Sequence, residues 1–519
     1  RPPARGRAMA PAACRLALAA GLLGASGPAG VGALKLGEAE APAAEAVPAG
    51  VCGRRAEGRQ DVQPEGHSLN SRGGPPAWWR EAKLGIFVHW GLYSVPAYAS
   101  KKYSFSQFHS IDKAEYARNN PYAEWYLLTS LVKDSATAHV HKQRYGEEAS
   151  MESYLGKFVP RFNDEVARWQ PQKWADLFRK AGAEYVVLTT KHHDSFLLWP
   201  SAVVNPNRQQ EHQHAKRDIV GDLTRAVRRA GMEMGLYYSG GFDWSFKTCS
   251  CDPESAEYEE LAYNHLEELI ERYKPSVLWD DINWPGKGWT KTNRLYKLFA
   301  KYLNEVCPEG TMNARWSAVG EFKGDFSTPE YRNNDKVSAK PFEMCRGIGQ
   351  SFGYNAEETP EDHMTPAEAV WLLVDVVAKN GNLLLDVGPA ANGSIPWPQQ
   401  RVLEGLGDWM KVNGEAIRAS RPYLQAGAVA KGNCRFTARE DRVYAVLQAV
   451  EFGAPVHFKH EELMVPAAAA ELLVEGRALP LALEAGGWQI PLDAAGRTAG
   501  RGSLPVVLRL RAPAAPGRQ

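Results

Sequence analysis

The sequence predicts an α/β protein in which a (β/α)8-like barrel is followed by a small antiparallel β-sandwich domain. From about Pro75 to Leu424, short β-branched or aliphatic runs alternate with longer segments of helical apolar period, which is typical of a parallel sheet covered by helices. No Gly-rich phosphate-binding fingerprint follows the first run, so a closed barrel is favoured over an open dinucleotide-binding sheet. Past Pro422, short alternating runs separated by turn residues indicate a β-sandwich.

About eight runs are predicted to be barrel strands. In chain order they are Leu84–His89, Tyr185–Lys191, Met234–Tyr238, Val277–Asp281, Thr311–Arg315, Asp325–Glu330, Phe342–Cys345 and Asn382–Val387. Helices are predicted between them, for example over Gln172–Ala181 and Ser255–Tyr273, where apolar residues recur at spacings of three and four. Near the carboxyl terminus, CRFTARE and DRVYAVLQAV predict a hairpin, and three later runs alternate as strands do. These are Glu471–Val474, Trp488–Leu492 and Leu504–Leu510.

The first 33 residues are predicted to be a leader that contains a signal peptide. Arg15, the apolar run Leu16–Ala25 and small residues up to Ala33 supply a charged region, a short apolar region and a cleavage site. A disordered Ala-rich leader is the alternative. We interpret residues 34–74 as a low-complexity linker, 75–422 as the barrel and 423–519 as the sandwich. A signal peptide predicts targeting through the secretory pathway, to the outside of the cell or to a lysosome or vacuole.

The charge balance excludes several kinds of partner. The 519 residues contain 61 Lys and Arg against 60 Asp and Glu, which gives a formal charge of +1. This balance provides no electrostatic attraction for a nucleic acid. No segment after the leader is apolar over the roughly 20 residues that a membrane span needs. We therefore expect no nucleic-acid and no membrane partner, while homo-oligomerisation stays open.

Six cysteines follow the leader. They are Cys52, Cys249, Cys251, Cys307, Cys345 and Cys434. Their even number permits disulfides, but their wide scatter indicates no framework, so at most one or two bridges are expected. The sequon at Asn392 is compatible with a glycosylated protein.

Polar side chains follow the apolar runs at the points where the runs end. These clusters are His89-Trp90-Gly91, Lys191-His192-His193-Asp194, Tyr237-Tyr238-Ser239-Gly240-Gly241, Trp279-Asp280-Asp281, Asn313-Ala314-Arg315-Trp316 and Thr328-Pro329-Glu330-Tyr331. In a barrel, the carboxyl ends of the strands form the active site. Alternatively, Asp280 and Asp281 cap a helix or pair with Arg315. Neighbouring histidines at a strand end are expected to point to opposite faces, so we predict no metal at His192 and His193.

The chemistry that best fits these clusters is glycoside hydrolysis. Two carboxylates from different strands, set among His, Trp, Tyr and Arg, match the pair that such enzymes use. One would attack the anomeric carbon, and the other would protonate the leaving oxygen and later deprotonate water. The sequence has no GxSxG elbow and no convincing Cys–His pair, which disfavours acyl transfer. No cofactor is predicted.

Several long motifs resemble the retaining α-L-fucosidase family of glycoside hydrolases. They include WWREAKLGIFVHWGLYSVPAY at Trp78–Tyr98, the HHD block within Phe162–Ser201, GLYYSGGFDW at Gly235–Trp244, VLWDDINWP at Val277–Pro285 and NGNLLLDVGPAANGSIP at Asn380–Pro396. The likeness covers nearly all of the predicted barrel. It implies a retaining exo-glycosidase that removes terminal α-L-fucose from oligosaccharides or glycoproteins through a covalent fucosyl-enzyme intermediate.

The resemblance also implies roles for individual residues. Asp281 matches the nucleophile, and Glu330 matches the acid/base best, with Glu343 and Glu321 as alternatives. The positions that match fucose-binding residues are His89, Glu124, Trp125, His192, His193, Tyr238 and Arg315, and Trp279 and Phe352 match positions that cover the C6 methyl of the sugar. Ser195 departs from the family, in which HHD is usually followed by Gly. We expect the serine to be tolerated, at a cost if its backbone φ is positive.

Two other functions stay open. One is a related barrel glycosidase with another sugar specificity, against which Trp279 and Phe352 argue. The other is a catalytically inactive sugar-binding protein, which we would expect to lack Asp281 or the pocket histidines. The sequence retains all of these residues.

Overall fold

The structure is a computed structural model, and it describes most of the chain from residue 50 onward. The described ranges are 50–54, 60–107, 110–246, 256–285, 294–316, 321–423, 433–448, 455–459, 469–473, 477–479, 482–484, 487–491 and 504–511. The predicted leader, the first part of the predicted linker, Cys249 and Cys251 lie outside these ranges.

Seven parallel strands form the barrel sheet in the spatial order β5-β4-β3-β2-β1-β7-β6. They are β1 (Leu84–Val88), β2 (Tyr185–Lys191), β3 (Glu233–Tyr238), β4 (Val277–Asp280), β5 (Thr311–Met312), β6 (Phe342–Gly347) and β7 (Gly381–Val387). Long connections of helix and loop join successive strands, because neighbouring parallel strands cannot be joined by a short hairpin turn. The predicted fold class is confirmed, and seven of the eight predicted strands form.

The segment predicted as the sixth strand, Asp325–Glu330, is not a regular strand. It makes isolated parallel bridges instead, from Phe326 to Asn313 just after β5, and from Ser327 and Glu330 to β6. Pro329 has no N–H with which to continue a ladder, although its carbonyl accepts the N–H of Cys345 at 3.0 Å. The segment therefore lies between β5 and β6 and occupies the eighth position of the ring without strand geometry.

The helices pack their apolar faces on the outside of the sheet. Those described are Gly66–Asn70, Ala77–Ala82, Lys113–Arg118, Tyr126–Leu131, Ala136–Tyr145, Met151–Val166, Pro171–Lys180, Ile219–Arg229, Ala256–Tyr273, Arg294–Lys301, Pro366–Ala378 and Trp397–Asn413. The two helices predicted above form within one residue of the expected bounds. Helix Pro366–Ala378 begins at a capping box, in which Thr365 and Glu368 bond each other's backbone N–H.

Alternation along the strands sorts side chains between two apolar cores. Phe87, Tyr185, Tyr237 and Trp279 belong to a core inside the barrel. Their chain neighbours, Tyr238 among them, belong to the larger core between the sheet and the helices. Because successive side chains on a strand point to opposite faces, the inward positions decide which residues reach the centre of the barrel.

Part of the segment predicted to be a linker packs against the barrel. Val51, Val62 and Leu69 are buried in the outer core. A disulfide joins Cys52 to Cys307. Cys345 and Cys434 are free, so the described cysteines form one bridge, where at most one or two were expected.

The carboxyl-terminal part is antiparallel. One sheet has the order β13-β12-β16-β10-β9-β8 and another the order β11-β15-β14. These strands are β8 (Arg421–Pro422), β9 (Cys434–Arg439), β10 (Arg442–Leu447), β11 (Pro455–Lys459), β12 (Ala469–Leu472), β13 (Arg477–Leu479), β14 (Ala482–Glu484), β15 (Gly487–Pro491) and β16 (Val506–Arg511). The predicted hairpin is confirmed as β9 paired with β10. Within the described part of the chain, no helix combines the length and hydropathy needed to cross a membrane.

Candidate active site

Asp281 stands just beyond the end of β4, where the chain turns sharply. Its carbonyl accepts the N–H of Gly241 at 3.0 Å. The next two residues, Ile282 and Asn283, have positive φ values of 68° and 128°. Such conformations are costly for residues with side chains and cluster at functional sites. The turn leaves Asp281 8% exposed at the mouth of the barrel.

Both carboxylate oxygens of Asp281 accept hydrogen bonds. Oδ1 accepts from Arg315 Nη1 at 2.5 Å and from the Ile282 N–H at 2.8 Å. Oδ2 accepts from the Tyr237 hydroxyl at 2.8 Å. A carboxylate oxygen has room for about two donors. Among the described residues, Oδ1 therefore has its two donors, whereas Oδ2 accepts only the Tyr237 hydroxyl.

Arg315 joins two carboxylates. Its Nη2 lies 2.5 Å from Glu330 Oε1, and its Nη1 lies on Asp281. Thr328 accepts from Nε through its hydroxyl at 2.7 Å and from Nη2 through its carbonyl at 2.9 Å. Burial alone would lower the pKa of Arg315, but the carboxylates of Glu330 and Asp281 raise that pKa above its usual range. The guanidinium thus holds the two acidic residues in one cluster.

The other two acid/base candidates lie elsewhere. Glu343 is fully buried inside the barrel, where its oxygens accept from the Tyr185 hydroxyl at 2.6 Å and from Trp279 Nε1 at 2.8 Å. Glu321 is exposed beside helix Gly66–Asn70. Of the three candidates, Glu330 is the one that the structure brings to Arg315 and Asp281.

Three histidines lie on the neighbouring strand ends. His89 Nδ1 shares a 2.6 Å hydrogen bond with Asp386 Oδ1, and His193 Nδ1 shares one of the same length with the Ser239 hydroxyl. Burial lowers the pKa of each of the three, and that of His192 falls to about 3. They are consequently neutral imidazoles, and a ring nitrogen that is not already hydrogen-bonded can donate to or accept from a sugar hydroxyl.

The prediction that His192 and His193 point to opposite faces is wrong. Their ring centroids lie 4.0 Å apart. Strand β2 ends at Lys191, so the two histidines lie in the turn that follows and strand alternation does not apply to them. Among the described residues, no group of three His, Cys, Asp or Glu side chains could hold a metal ion.

The long connection between β1 and β2 supplies Glu124 and Trp125. Glu124 is buried and accepts from the Gly353 N–H at 2.8 Å and the Ser351 hydroxyl at 3.1 Å. Burial raises the pKa of Glu124 to about 7. The Trp125 ring stands perpendicular to His193, with centroids 5.4 Å apart.

Two aromatic side chains complete the pocket. Phe352 stacks on His89, with ring centroids 4.9 Å apart and an interplanar angle of 29°. Trp279 lies beneath the Arg315 guanidinium, which is 4.6 Å from the ring centroid. Both predicted aromatic positions therefore lie against residues of the cluster.

The structure does not bring Tyr238 to the site, and it places Tyr237 there instead. The Tyr238 hydroxyl hydrogen-bonds His265 Nδ1 at 3.1 Å in the outer core. The physical reason is strand parity, because Tyr237 shares the inward face of the sheet while its neighbour faces the helices. Sequence reasoning also missed Asp386, whose signal was an acidic residue inside the apolar run NLLLDV.

Asp280 points away from Asp281. Its Oδ1 accepts from the Gly240 N–H at 3.1 Å, and the residue is fully buried. Burial, followed by the charge of Asp281, raises the pKa of Asp280 well above its usual range. This carboxyl group is therefore outside the cluster.

Ser195 has the positive φ that the sequence marked as costly, at 71°. Its hydroxyl donates to the Asp243 carboxylate. Asp243 also forms a fully buried ion pair with Lys191, at 3.1 Å. A glycine could not make the hydroxyl contact, so the serine gains a hydrogen bond that offsets its backbone strain.

A family model described as Alpha-L-fucosidase matches residues 52–415. An alpha-L-fucosidase of Dictyostelium discoideum is 32% identical over 379 residues, which cover 70% of this chain and 76% of that protein. The tissue alpha-L-fucosidase of Homo sapiens is 32% identical over 406 residues, which cover 76% and 79%. A crystal structure of Thermotoga maritima alpha-fucosidase with a mechanism-based inhibitor is similar at a TM-score of 0.74 and 37% identity, covering 87% of this chain and 100% of that chain.

Proposed function

The chain belongs to the alpha-L-fucosidase family of glycoside hydrolases, and from that premise we propose how a fucose-hydrolysing glycosidase operates at this site. Asp281 is the nucleophile and Glu330 is the general acid/base of a retaining reaction on terminal α-L-fucose. The observation that carries this assignment is the contact of both carboxylates with the single Arg315 guanidinium. This contact brings the two groups close together, as the separation of about 5 Å in a retaining pair requires.

In the first step, Asp281 attacks the anomeric carbon of fucose. We assign the attack to Oδ2, because Oδ1 already accepts two hydrogen bonds and Oδ2 accepts one. The new bond joins Oδ2 to C1 as the bond from C1 to the leaving oxygen breaks. Negative charge leaves the carboxylate in this step and returns to it when the ester is cleaved.

Glu330 supplies and recovers the proton. It protonates the leaving oxygen in the first step and takes a proton from water in the second, when that water attacks C1 and frees Asp281. Its Oε1 is next to Arg315, and no described residue hydrogen-bonds its Oε2, which makes Oε2 the oxygen that carries the proton. The Glu330 side chain is 19% exposed, so an aglycone and a water molecule can reach it.

The fucose itself is held by neutral and apolar groups. The imidazoles of His89, His192 and His193 bind hydroxyls, and Glu124 and Trp125 line the site beside them. Phe352 and Trp279 present aromatic surface to the C6 methyl, which a galactoside lacks. Fucosylated oligosaccharides or glycoproteins are the substrates, and the predicted signal peptide supports a location outside the cell or in a lysosome or vacuole.

The test is hydrolysis of an aryl α-L-fucoside, with the aryl α-galactoside beside it and proton NMR of the first sugar released. We expect α-fucose as the first product and little galactose. Asp281→Gly should lower turnover by orders of magnitude and recover part of it with azide, which supplies a small nucleophile. Near-full activity of this variant would exclude Asp281. Rejection of both sugars by the folded parent chain would favour a sugar-binding protein, which a glycan array would detect.

A further inference from the structure

We propose that Glu343 is a positioning residue for the nucleophile, because it fixes Trp279 from inside the barrel and Trp279 supports both side chains that hold Asp281. This inference rests on the proposed role of Asp281. It also gives Glu343 a function other than the acid/base role that the sequence left open.

The first link is the contact between Glu343 and Trp279. Glu343 Oε1 accepts the indole N–H at 2.8 Å, and its Oε2 accepts the Tyr185 hydroxyl at 2.6 Å. Tyr185 reaches across the barrel interior because Gly85 has no side chain, and a Cβ there would lie 2.4 Å from the Tyr185 ring. Glu343 is therefore held at both oxygens and fixes the rotation of the Trp279 ring.

The second link is the packing on Trp279. The Arg315 guanidinium lies 4.6 Å from the centroid of the indole ring. The Tyr237 ring stacks on the same indole, at 5.4 Å between centroids and an interplanar angle of 27°. Arg315 donates to Oδ1 of Asp281 and Tyr237 donates to Oδ2. One indole thus sets the direction from which both carboxylate oxygens are held.

The burial of Glu343 supports this role. Burial raises the pKa of Glu343 to about 7, so the native state bears a desolvation cost that an apolar side chain of similar size would avoid. Glu343 is 0% exposed and both of its oxygens accept hydrogen bonds, so its carboxyl group is not presented to a leaving group. The carboxyl group orients Trp279, and we infer that this function accounts for a buried acid at this position.

The experiment compares Glu343→Gln with Glu343→Leu on aryl fucosides with good and with poor leaving groups. Glutamine keeps an acceptor for the indole N–H and a polar partner for Tyr185, so we expect its kcat to stay within about threefold of the parent. Leucine removes both, and we expect kcat to fall by up to about 100-fold, the loss that a misplacement of about 1 Å can cause. The kcat of Glu343→Leu should fall by the same factor on both classes of substrate, with little change in KM.

Several results would overturn the inference. Equal damage by glutamine and leucine, greatest on poor leaving groups, would make Glu343 the acid/base. A leucine variant with a lowered melting temperature and unchanged kcat would make its role merely structural. If Glu343→Leu does not fold, Trp279→Phe keeps an aromatic ring without the N–H, and it should lower kcat on both substrates. An unchanged kcat would refute the inference.

A double-variant cycle tests whether Glu343 acts through Trp279. Adding Glu343→Gln or Glu343→Leu to Trp279→Phe should cause no further loss of kcat, because the shared link is already broken. Losses that add would show independent action and overturn the inference. Asp281→Gly, assayed with azide in parallel, separates the two proposals. If Asp281→Gly retains its activity, the nucleophile assignment is wrong. If Asp281→Gly is inactive and is rescued by azide while Glu343→Leu keeps the kcat of the parent, only the positioning role is wrong.

Discussion

Tyr237→Phe offers a sharp test of the proposed nucleophile, because the chain contains its own control one residue away. The substitution removes a single hydroxyl, which donates to Asp281 Oδ2 at 2.8 Å. Tyr238→Phe removes the same group from the next residue, where the hydroxyl bonds His265 in the outer core. The two variants have the same change in composition, and only the first touches the proposed site.

The expected effect on kcat depends on which oxygen of Asp281 regains negative charge. When the fucosyl ester is cleaved, negative charge develops again on Oδ2, and the Tyr237 hydroxyl stabilises that charge in the second transition state. A hydrogen bond to a charged group contributes about 1.5–3 kcal/mol. With each 1.36 kcal/mol worth about a factor of ten, kcat should fall by roughly 10- to 100-fold. Because the slowed step consumes the intermediate, KM should fall as well.

The assay is stopped-flow release of the aryl leaving group. Tyr237→Phe should give a fast burst of about one equivalent and then slow turnover, which indicates accumulation of the covalent intermediate. Tyr238→Phe should keep a kcat close to that of the parent, with the same KM. Indistinguishable kcat values for the two variants would refute the argument that Tyr237 stabilises the carboxylate.

Three further predictions concern acid catalysis, backbone strain and pH. Glu330→Ala should lose much activity on poor leaving groups and less on activated aryl fucosides, which need little protonation. Equal losses would contradict the acid role. Ser195→Gly relieves about 1 kcal/mol of strain but loses a hydrogen bond to Asp243 worth about 1.5–3 kcal/mol, so urea unfolding should rank the variants serine, glycine, alanine in decreasing stability. A glycine variant more stable than the parent would contradict this order. Burial raises the pKa of Glu358 from 4.5 to about 8, so the native state keeps a proton that the unfolded state releases, and the free energy of unfolding should fall as pH rises through that window. The melting temperature should be higher near pH 5 than near pH 8, and Glu358→Gln should reduce the difference, whereas an unchanged difference would exclude this group as a cause.

Local patterns in the sequence were sufficient to predict most of the fold. The short apolar run of β2 stands between two helices in the sequence, as a buried parallel strand does, and β2 forms over the predicted residues. The segment Asp325–Glu330 does not form a regular strand, because strand pairing depends on the neighbouring strands and on Pro329, which lacks an N–H. The apolar pattern from which the strand was predicted contains neither kind of information. The packing of Val51, Val62 and Leu69 on the barrel was missed because the composition of residues 34–74 resembles that of a linker.

The residues of the candidate site were predictable where a strand sets the direction of a side chain, and less predictable where a turn sets it. Parity with Trp279 would have chosen Tyr237 over Tyr238, since inward residues of neighbouring strands meet in one layer. Parity gave the wrong answer for His192 and His193, because the strand ends before them. The contact of Glu330 with Arg315 joins two segments without regular structure, and no spacing in the sequence fixes it.

The carboxyl groups around the pocket differ in the donors they receive, and this difference supports a division of roles. Glu124 and Glu343 are buried among neutral donors, a hydroxyl and a backbone N–H in one case and a phenol and an indole in the other, and burial raises the pKa of each to about 7. Asp281 and Glu330 instead share the Arg315 guanidinium and are partly exposed. One fold can assign different tasks to the same chemical group by placing its members in environments that favour different protonation states. We therefore expect the pair on the guanidinium to carry out the reaction, and the two buried acids to hold the side chains that line the site.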